Sequence, residues 1–382
     1  MKEIYLDEFA SARVGRNVLK VMEKHYKEDY ANPSSVHGAG EKAFGVIRDC
    51  KREIAKEINS KSGEIYFTSG ATESNNLAIQ GLSRANPKRR TIVISAIEHP
   101  SVYETAEYMK SKGYNVIKIG VDLAGKINLE EFEKEILKNK KDILLVSVMY
   151  VNNIIGFVQD LKKIGDICRK NNVLFHTDAV QGFGKLKIDV KEMKIDLLSA
   201  SGHKIGGPKG IGLLYVRDGV KIKPLLLGGG QEKGLRSGTE NIPAIAGFSK
   251  ALEEIKKLNN EEIKKTRNNL ALNLEKIGGK INNDIERSMY NILHVSFPGI
   301  EGRKIVNRLS DEGIYISSGS ACESKKAKTD YVLKSIGLNK KEIDGALRIS
   351  LEKAMKDKEI SFVIDRLKKA LGGWMSHQNR FK

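Results

Sequence analysis

Ser201-Gly-His-Lys-Ile-Gly-Gly-Pro-Lys-Gly210 is the stretch of this sequence that decides the fold. The apolar run Ile195-Asp-Leu-Leu-Ser-Ala200 precedes it and predicts a buried strand. A lysine that stands at the end of a strand, among glycines, is a candidate amine nucleophile. We therefore predict that Lys204 carries a cofactor and that the rest of the chain is organised around it.

A second apolar run upstream supports the same interpretation. Val173-Leu-Phe175 leads into His176-Thr-Asp-Ala-Val-Gln181, which brings a carboxylate and an amide to the end of a strand. Parallel sheets build ligand sites outside the carboxyl ends of their strands. We expect Asp178 and Gln181 to lie near Lys204, with Gln181 one helical turn after Asp178.

Residues 64–214 alternate between strand and helix patterns, which predicts a mainly parallel sheet covered by helices on both faces. The seven expected strands are Ile65–Thr68, Thr91–Ser95, Asn115–Ile119, Ile143–Val148, Val173–Phe175, Leu197–Ala200 and Gly212–Val216. Helical patterns precede this sheet at about 16–27 and 39–58. Residues 225–276, a glycine-rich loop and a charged helical region, are interpreted as a connector between domains.

The fold class that follows is α/β, with a large domain around a mainly parallel seven-stranded sheet sandwiched by helices and a smaller α+β domain. Strands of the smaller domain are expected near Ile292–Phe297, Tyr315–Ser317 and Leu347–Ser350. We assign residues 15–254 to the large domain. Residues 1–14 and 255–382 form the small domain, which carries a mobile cysteine loop at about 317–329.

Size and composition exclude several classes of protein. The 382 residues suffice for two domains that each have a core. No stretch approaches the roughly 20 apolar residues that a membrane span needs, and residues 1–8 carry acid where a secretion signal has an apolar run. We expect a cytoplasmic protein with no membrane association. Cys50, Cys168 and Cys322 show no paired metal spacing, so no metal site is expected.

The formal net charge of +18 admits an acidic partner, because a positive surface speeds encounter with nucleic acids and acidic proteins. The lysines are nevertheless scattered, with short clusters at 139–141, 325–328 and 339–341. No RNA-binding signature with interleaved aromatic residues accompanies them. A solvated, lysine-rich surface is the simpler interpretation.

Thr68-Ser-Gly-Ala-Thr-Glu-Ser-Asn75 follows a predicted strand and opens a predicted helix. The free N–H groups and partial positive charge of a helix start, with the Thr72 hydroxyl, would hold an anionic phosphate. Alone, the motif favours a plain helix cap, because Ser and Thr cap helices routinely. Together with Ser201, His203 and Lys204 it indicates a phosphate site for an aldehyde cofactor.

These groups suit pyridoxal phosphate, which needs a lysine to hold it as a Schiff base, a carboxylate beside its ring nitrogen and donors for its phosphate. Asp178 fits the carboxylate, because a negative charge there favours the protonated ring nitrogen; a helix N-cap is the alternative. His99, in Ile97-Glu-His-Pro100, would stack on the ring and move protons, with a polar loop residue as the alternative. His176 lies inside a strand and is expected to be structural.

Ser317-Ser-Gly-Ser-Ala-Cys-Glu-Ser324 combines small residues with a single thiol. Lys325, Lys326 and Lys328 supply positive potential that favours the thiolate of Cys322. A buried cysteine beside a turn is the alternative. The polar surroundings favour a reactive thiol on a loop that swings.

Taken together, the motifs resemble those of the NifS/IscS-like cysteine desulfurases, within the class V aminotransferases of fold type I. The resemblance spans nearly the whole chain and rests on Ser-Gly-His-Lys, Asp-Ala-Val-Gln, Gly-Ala-Thr-Glu-Ser-Asn, Arg-Ser-Gly-Thr and Ser-Ser-Gly-Ser-Ala-Cys. It implies a homodimer that uses pyridoxal phosphate to convert L-cysteine to L-alanine, leaving a persulfide on the protein. The longer cysteine loop resembles the first group of the family, which delivers sulfur directly to acceptors.

The resemblance assigns roles residue by residue. Lys204 would be the Schiff-base lysine, Asp178 the partner of the ring nitrogen and His99 the stacking acid–base group. Cys322 would attack the substrate's sulfur, and Arg348 would clamp the substrate carboxylate, a task suited to a forked guanidinium; a surface salt bridge is the alternative for Arg348. The remaining assignments are Ala71, Thr72, Ser201 and His203 to the phosphate, Thr239 from the partner subunit, Gln181 and Asn153 to the phenolic oxygen or the substrate, and Asn32 to the substrate.

Two departures from the family pattern stand out. The usual opening Leu-Asp-Asn-Ala-Ala-Thr-Thr reads Leu-Asp-Glu-Phe-Ala-Ser-Ala over residues 6–12, and the usual Asn-Asn-Glu-Ile-Gly-Thr reads Asn-Asn-Ile-Ile-Gly-Phe over residues 152–157. The first lies where the N-terminal segment of the family approaches the site. The second puts Ile154 beside Asn153. Both bear on substrate handling or on partner preference.

Alternatives remain open at the level of the sequence. A selenocysteine lyase uses the same cofactor, and a non-catalytic scaffold or regulatory homologue would keep the fold without turnover. The sulfur acceptor is equally open: an iron–sulfur scaffold protein, a tRNA-thiolation enzyme and a small sulfur carrier all suit the resemblance. It also allows Cys322 to ligate an iron–sulfur cluster during transfer.

Overall fold

The computed structural model describes residues 3–318 and 330–372. The strands in this part of the chain are β1 (Ile4–Tyr5), β2 (Ile65–Thr68), β3 (Thr91–Ser95), β4 (Asn115–Ile119), β5 (Ile143–Ser147), β6 (Phe175–Asp178), β7 (Leu197–Ser201), β8 (Gly212–Val216), β9 (Lys280–Ile281), β10 (Ile292–Ser296), β11 (Ile314–Tyr315), β12 (Ser317–Ser318) and β13 (Ala346–Ser350). The helices are α1 (Arg16–Glu28), α2 (Gly38–Glu57), α3 (Ala71–Asn76), α4 (Leu82–Ala85), α5 (Pro100–Ser111), α6 (Leu129–Asn139), α7 (Leu161–Lys170), α8 (Ile242–Ile255), α9 (Asn260–Lys276), α10 (Gly302–Asp311), α11 (Asp330–Ser335), α12 (Lys340–Asp344) and α13 (Asp357–Leu371).

The larger sheet has the strand order β2-β8-β7-β6-β5-β3-β4. β8 pairs antiparallel with both of its neighbours, β2 and β7, and the other four pairings are parallel. Every residue of β3, β5, β7 and β8 is buried, as expected for strands that helices cover on both faces. The predicted mainly parallel seven-stranded sheet is confirmed.

The position of β6 differs from the prediction. The strand covers Phe175–Asp178, whereas the apolar pattern indicated 173–175. Three of its residues pair with β7, in a register that runs from His176 opposite Leu197 to Asp178 opposite Ser199. The apolar pattern ends before the strand does, because the buried residues His176, Thr177 and Asp178 are polar. Asp178 is thus the last residue of the strand rather than a helix N-cap.

The interpretation of residues 225–276 as a connector is wrong. The helices α8 and α9 make up most of residues 242–276, and each packs into a different core. Phe248 on α8 belongs to the core of the seven-stranded sheet, together with residues of α1 and α2. Leu270 on α9 belongs to the core of the smaller sheet. The chain therefore passes between the two cores in the short segment 256–259.

The smaller sheet is antiparallel, with the order β12-β13-β10-β9. The helices α9, α10 and α13 contribute apolar residues to its core. The N-terminal segment links the two cores, since Leu6 is buried in this one and Phe9 in the core of the large sheet. Residues 7–11 therefore run along the junction of the two layers. The division into 15–254 and 1–14 with 255–382 remains our proposal.

A search of residues 3–318 and 330–372 finds no helix with both the length and the apolar character that a bilayer crossing requires.

Candidate active site

A cavity of about 510 Å³ opens where the carboxyl ends of β3, β6 and β7 face the smaller sheet. Its position is the one that parallel α/β sheets use for ligands. The predicted site residues that line it are Ala71, Thr72, His99, Asn153, Asp178, Gln181, Ser201, His203, Lys204 and Arg348. Predicted site residues up to 277 positions apart in the sequence, from Ala71 to Arg348, thus meet around one cavity.

Three predicted site residues do not line this cavity. Asn32 and Thr239 lie together in a separate surface hollow, where the Asn32 side chain accepts a hydrogen bond from the Ser34 N–H at 2.9 Å. Within one chain Asn32 therefore has no contact with the cavity, and the assignment of Thr239 to a partner's site stays a prediction. Cys322 lies outside the residues that the structure describes.

The Lys204 side chain ends in the cavity wall and contacts the N-terminal segment. Its Nζ donates to the carbonyl oxygens of Phe9, at 2.5 Å, and Ala10, at 2.9 Å. The Phe9 carbonyl also accepts from Gln181 Nε2 at 3.0 Å. Residues 179–185 form consecutive turns rather than the expected helix, yet Gln181 and Asp178 both face the cavity. Backbone oxygens of the N-terminal segment therefore fix the position of the amine.

A chain of hydrogen bonds connects Asp178 with His99. Asn75 Nδ2 donates to Asp178 Oδ2 at 2.8 Å and to Ser101 Oγ at 2.7 Å. Ser101 Oγ in turn lies 2.8 Å from His99 Nδ1. The other carboxylate oxygen of Asp178 accepts from the Val180 N–H at 3.1 Å. The network holds the carboxylate and the imidazole in fixed positions on the cavity wall.

His99 caps α5, and its Nδ1 accepts from the Ser101 N–H at 3.1 Å. A nitrogen that accepts from a backbone N–H carries no proton, so the neutral ring holds its proton on Nε2. Burial lowers the pKa of His99, while Asp178 raises it and Lys204 lowers it. We conclude that His99 is neutral at pH 7 and that Nε2 is the atom from which it donates.

The predicted phosphate motif begins a helical run that continues from α3 to α4 through a π-helical turn at Leu77–Gly81. Ser74 Oγ lies 2.8 Å from Thr68 Oγ1, which ties the helix to β2. The Glu73 carboxylate accepts from the Ser69 N–H at 2.8 Å and pairs with Arg236 at 3.0 Å. The arginine neutralises a charge that would otherwise repel an anion at this helix start.

On the other side of the cavity, Ser201 and His203 belong to the end of β7 and the turn after it. His203 Nδ1 lies 3.3 Å from Ser11 Oγ. Burial, followed by the neighbouring Lys204, lowers the pKa of His203 to about 4. His203 is accordingly neutral at pH 7 and serves as a hydrogen-bonding group rather than a cation.

Arg348 projects from β13 of the smaller sheet and is 5 % exposed. Its Nη1 donates to the Asn153 carbonyl oxygen at 2.9 Å, and its Nη2 pairs with Asp7 at 2.7 Å. Arg348 also lines the cavity, so a cation from the smaller sheet faces the amine and the carboxylate of the larger one. A fork of this kind suits a substrate carboxylate.

Comparison with known proteins shows the family of this chain. The family model described as aminotransferase class V matches residues 4–363 of this chain. The chain belongs to the class V aminotransferases. The cysteine desulfurase IscS of Clostridium botulinum is 38 % identical over 380 residues, which cover 97 % of this chain and 94 % of that protein.

Solved structures also resemble this chain. A structure titled NifS-like protein has a TM-score of 0.90 and 38 % identity, covering 97 % of this chain and 99 % of its own. A structure titled SspA in complex with cysteine has a TM-score of 0.81 and 34 % identity, covering 93 % and 100 %. The predicted membership of the NifS/IscS-like cysteine desulfurases is confirmed.

The residues at both departures from the family pattern are buried. Ile154 is 3 % exposed and packs in a cluster with Val332 and Leu333 of α11, so an apolar residue fits where a glutamate is usual. Glu8 is 3 % exposed, and burial, followed by the nearby Glu352, raises its pKa to about 8. The change at Ile154 thus adds an apolar contact with α11, and the change at Glu8 places an acid that is neutral at pH 7 in the N-terminal segment.

Sequence reasoning missed three groups of this class V site. The roles of Asn75 and Glu73 were not assigned, although both lie in the quoted phosphate motif. Asn75 is four residues after Ala71, so helical spacing places both on one helix face and was a usable signal. The contact of Phe9 with Lys204 spans 195 positions and left no signal in the sequence.

Glu98, next to His99, is a further buried acid. Its Oε1 accepts from Ser95 Oγ and from the Met149 N–H at 2.8 Å, and its Oε2 has no partner in the described part of the chain. Burial raises the pKa of Glu98 to about 8, against the opposing effect of the hydrogen bonds from Ser95 and Met149. The folded protein therefore holds a proton on Glu98 that the unfolded chain releases at lower pH.

This proton makes stability depend on pH. An acid with a raised folded pKa stabilises the fold fully only below its unfolded pKa, and the stability is lost as the pH rises toward 8. The loss is about 1.4 kcal/mol per pH unit. Glu98→Gln removes this dependence and keeps an acceptor for Ser95 and Met149. We expect the unfolding free energy of the variant, relative to the original chain, to rise by about 3 kcal/mol between pH 5 and pH 8.

Denaturant unfolding at both pH values measures the difference. Glu28→Gln, at an exposed position on α1, is the matched control, and its unfolding free energy should differ from that of the original chain by the same amount at both pH values. A constant difference between Glu98→Gln and the original chain at pH 5 and pH 8 would show that the carboxyl titrates normally.

Proposed function

We propose that this chain is a pyridoxal-phosphate-dependent cysteine desulfurase, which converts L-cysteine to L-alanine and leaves a persulfide on Cys322. The observation that carries the proposal is the meeting of the Lys204 amine, the Asp178 carboxylate and the Arg348 guanidinium around one cavity. Similarity to a protein titled IscS and to one solved with cysteine supports the choice of substrate.

The residues present fit pyridoxal phosphate. The cavity of about 510 Å³ is large enough for it, and the buried Gln181 Oε1 and Asn75 Oδ1 lack hydrogen-bond partners among the described residues. Lys204 would hold the aldehyde carbon, and Asp178 would face the ring nitrogen. The remaining groups that would hold the cofactor are Ala71, Thr72, Ser201 and His203 at the phosphate and Gln181 at the phenolic oxygen.

When bound, this cofactor supplies an electron sink that stabilises a carbanion at the substrate's α-carbon. The chain's own residues provide the rest. Arg348 binds the substrate carboxylate, with Asn153 beside it. The amine of Lys204 accepts and returns a proton at Nζ, and His99, neutral with its proton on Nε2, is a proton donor on the same wall.

The sulfur needs an accessible thiol, and two of the three cysteines are poor candidates. Cys50 is 8 % exposed and its pKa is raised by burial to about 11. Cys168 is fully buried, and burial raises its pKa further. A thiolate at either position would be rare at neutral pH. This leaves Cys322 as our proposed sulfur acceptor.

Removing the thiol of Cys322 tests the proposal. We expect Cys322→Ala to bind the cofactor normally but to release less than about 1 % of the alanine that the original chain produces, because a lost catalytic group costs about 10²- to 10⁴-fold. Alanine is quantified by amino-acid analysis, and the persulfide is located by mass spectrometry after incubation with cysteine.

Cys50→Ser is the matched control, since it leaves Cys322 in place and should still carry the persulfide there. A persulfide on Cys50 or Cys168, or full alanine release by Cys322→Ala, would refute the assignment. The same alanine-release assay with selenocysteine in place of cysteine would identify a lyase that prefers the selenium compound. Bound cofactor without alanine from either substrate would favour a scaffold.

The oligomeric state, the sulfur acceptor and the cellular location are also part of the proposal. We infer a homodimer in which Thr239 completes the phosphate site of the partner subunit and Asn32 supports the substrate there. An iron–sulfur scaffold protein or a tRNA-thiolation enzyme would accept the sulfur, with Cys322 available to ligate a cluster during transfer. A cytoplasmic location suits cysteines that are free of disulfides in the described chain.

A further inference from the structure

The guanidinium of Arg348 is held from several sides before any substrate arrives. Nη2 donates to Asp7 Oδ1 at 2.7 Å and to Ser317 Oγ at 3.1 Å, and Nη1 donates to the Asn153 carbonyl oxygen at 2.9 Å. Nε is buried and has no partner among the described residues. The orientation of the fork is therefore set by the protein.

Asp7 contributes the only negative charge among these contacts. Its Oδ1 accepts from Arg348 Nη2 and also from Ser317 Oγ, at 2.7 Å in both cases. Asp7 is partly buried with a side-chain exposure of 19 %, and Arg348 is nearly inaccessible, so solvent screens the pair weakly. The charge of Arg348 is thus largely compensated in the resting protein.

Asp7 and Asn153, which both hold Arg348, differ in their position relative to the cavity. Arg348 and Asn153 line it, whereas Asp7 does not. A carboxylate that enters the cavity meets the side of the guanidinium that Asp7 does not occupy. Asp7 therefore does not block the fork sterically and acts on the incoming anion through its charge.

We propose that Asp7 is a positioning residue that lowers the affinity of Arg348 for α-carboxylates, so that the product dissociates from the site. The inference rests on the proposed function. Cysteine and alanine carry the same α-carboxylate, and an uncompensated buried guanidinium would hold the product as firmly as the substrate. A counter-ion behind the fork lowers both affinities while it keeps the fork oriented.

Asp7→Asn separates charge from geometry. The amide oxygen replaces Oδ1 and still accepts from Arg348 and Ser317, whereas the negative charge is gone. A negative charge a few ångströms from the guanidinium lowers the affinity of the site for another anion several-fold at the effective dielectric of a protein surface. We therefore expect Asp7→Asn to bind L-alanine about 5-fold more tightly than the original chain does. The apparent KM for L-cysteine should fall in the same direction.

The test measures the dissociation constants of L-alanine and of L-alaninamide, which lacks the carboxylate, on the holoprotein by calorimetry. Asp7→Asn should tighten the binding of alanine and leave that of alaninamide unchanged. Ser317→Ala is the matched control, because it removes a contact of the same oxygen without changing the charge, and it should not tighten alanine.

Unchanged or weaker alanine binding by Asp7→Asn would overturn the proposal, and so would equal tightening of both ligands, which would indicate a general change of shape. Failure of the original chain to bind alanine at all would count against the proposed function and against this inference with it. Alanine binding that Asp7→Asn leaves unaltered would count against Asp7 alone.

Discussion

Replacing Lys204 with alanine should abolish both the covalent attachment of the cofactor and the release of alanine from cysteine. The Lys204 amine on the cavity wall can bond to an aldehyde and can also move a proton at Nζ. Loss of both roles should lower the rate by about 10⁴-fold or more, beyond the effect of a single acid–base group. Alanine release, and the mass of the Lys204 peptide after borohydride reduction, measure the two losses separately.

Lys187→Ala is the matched control for this variant. Lys187 is exposed and lies near Lys204 in the sequence, outside the cavity. It should keep the cofactor on Lys204 and the full rate. A reduced cofactor found on another lysine in the original chain would refute the central assignment of this site.

Replacing Asp178 with asparagine should lower the rate by about 10²- to 10³-fold, the usual cost of removing one preorganised electrostatic group. The amide oxygen keeps the contact with the Val180 N–H, but the negative charge is lost, and Asn75 Nδ2 loses the carboxylate oxygen to which it donates. The cofactor should remain attached to Lys204.

Steady-state rates and the near-visible spectrum of the bound cofactor check this expectation. The spectrum should shift, because the charge that favours the protonated ring nitrogen is gone. Asp166→Asn, at an exposed residue that pairs with Lys162 at 2.8 Å, should change neither rate nor spectrum. A normal rate in Asp178→Asn would remove the carboxylate from the mechanism.

The sequence was sufficient for the sheet and for the residues around the cavity because these features have local signatures. An apolar run such as Ile143–Ser147 predicts a buried strand, and Lys204 stands directly after another. An apolar run did not predict the full length of β6, because most of its buried residues are polar. His176 is buried between Ser147 and Ser199, at 2.8 and 3.0 Å, and no hydrophobic pattern reveals such a strand.

Long-range contacts were the other limit. The pair of Asp7 and Arg348 joins residues 341 positions apart, and Phe9 meets Lys204 across 195. Such pairs depend on how two sheets are placed against each other, which no local pattern encodes. The motifs identified the groups that face the cavity but not the groups that hold them in place.

The placement of the N-terminal segment has a consequence for how the chain folds during synthesis. Ile4 pairs with Ile314 in β11, and Asp7 contacts Arg348, so residues 4–7 reach their positions only after residues 314–348 have been synthesised. The large sheet can form earlier, since its strands end at Val216. The cavity in the nascent chain is therefore incomplete until β13 has been synthesised, and the carbonyl oxygens that fix Lys204 reach their positions only then.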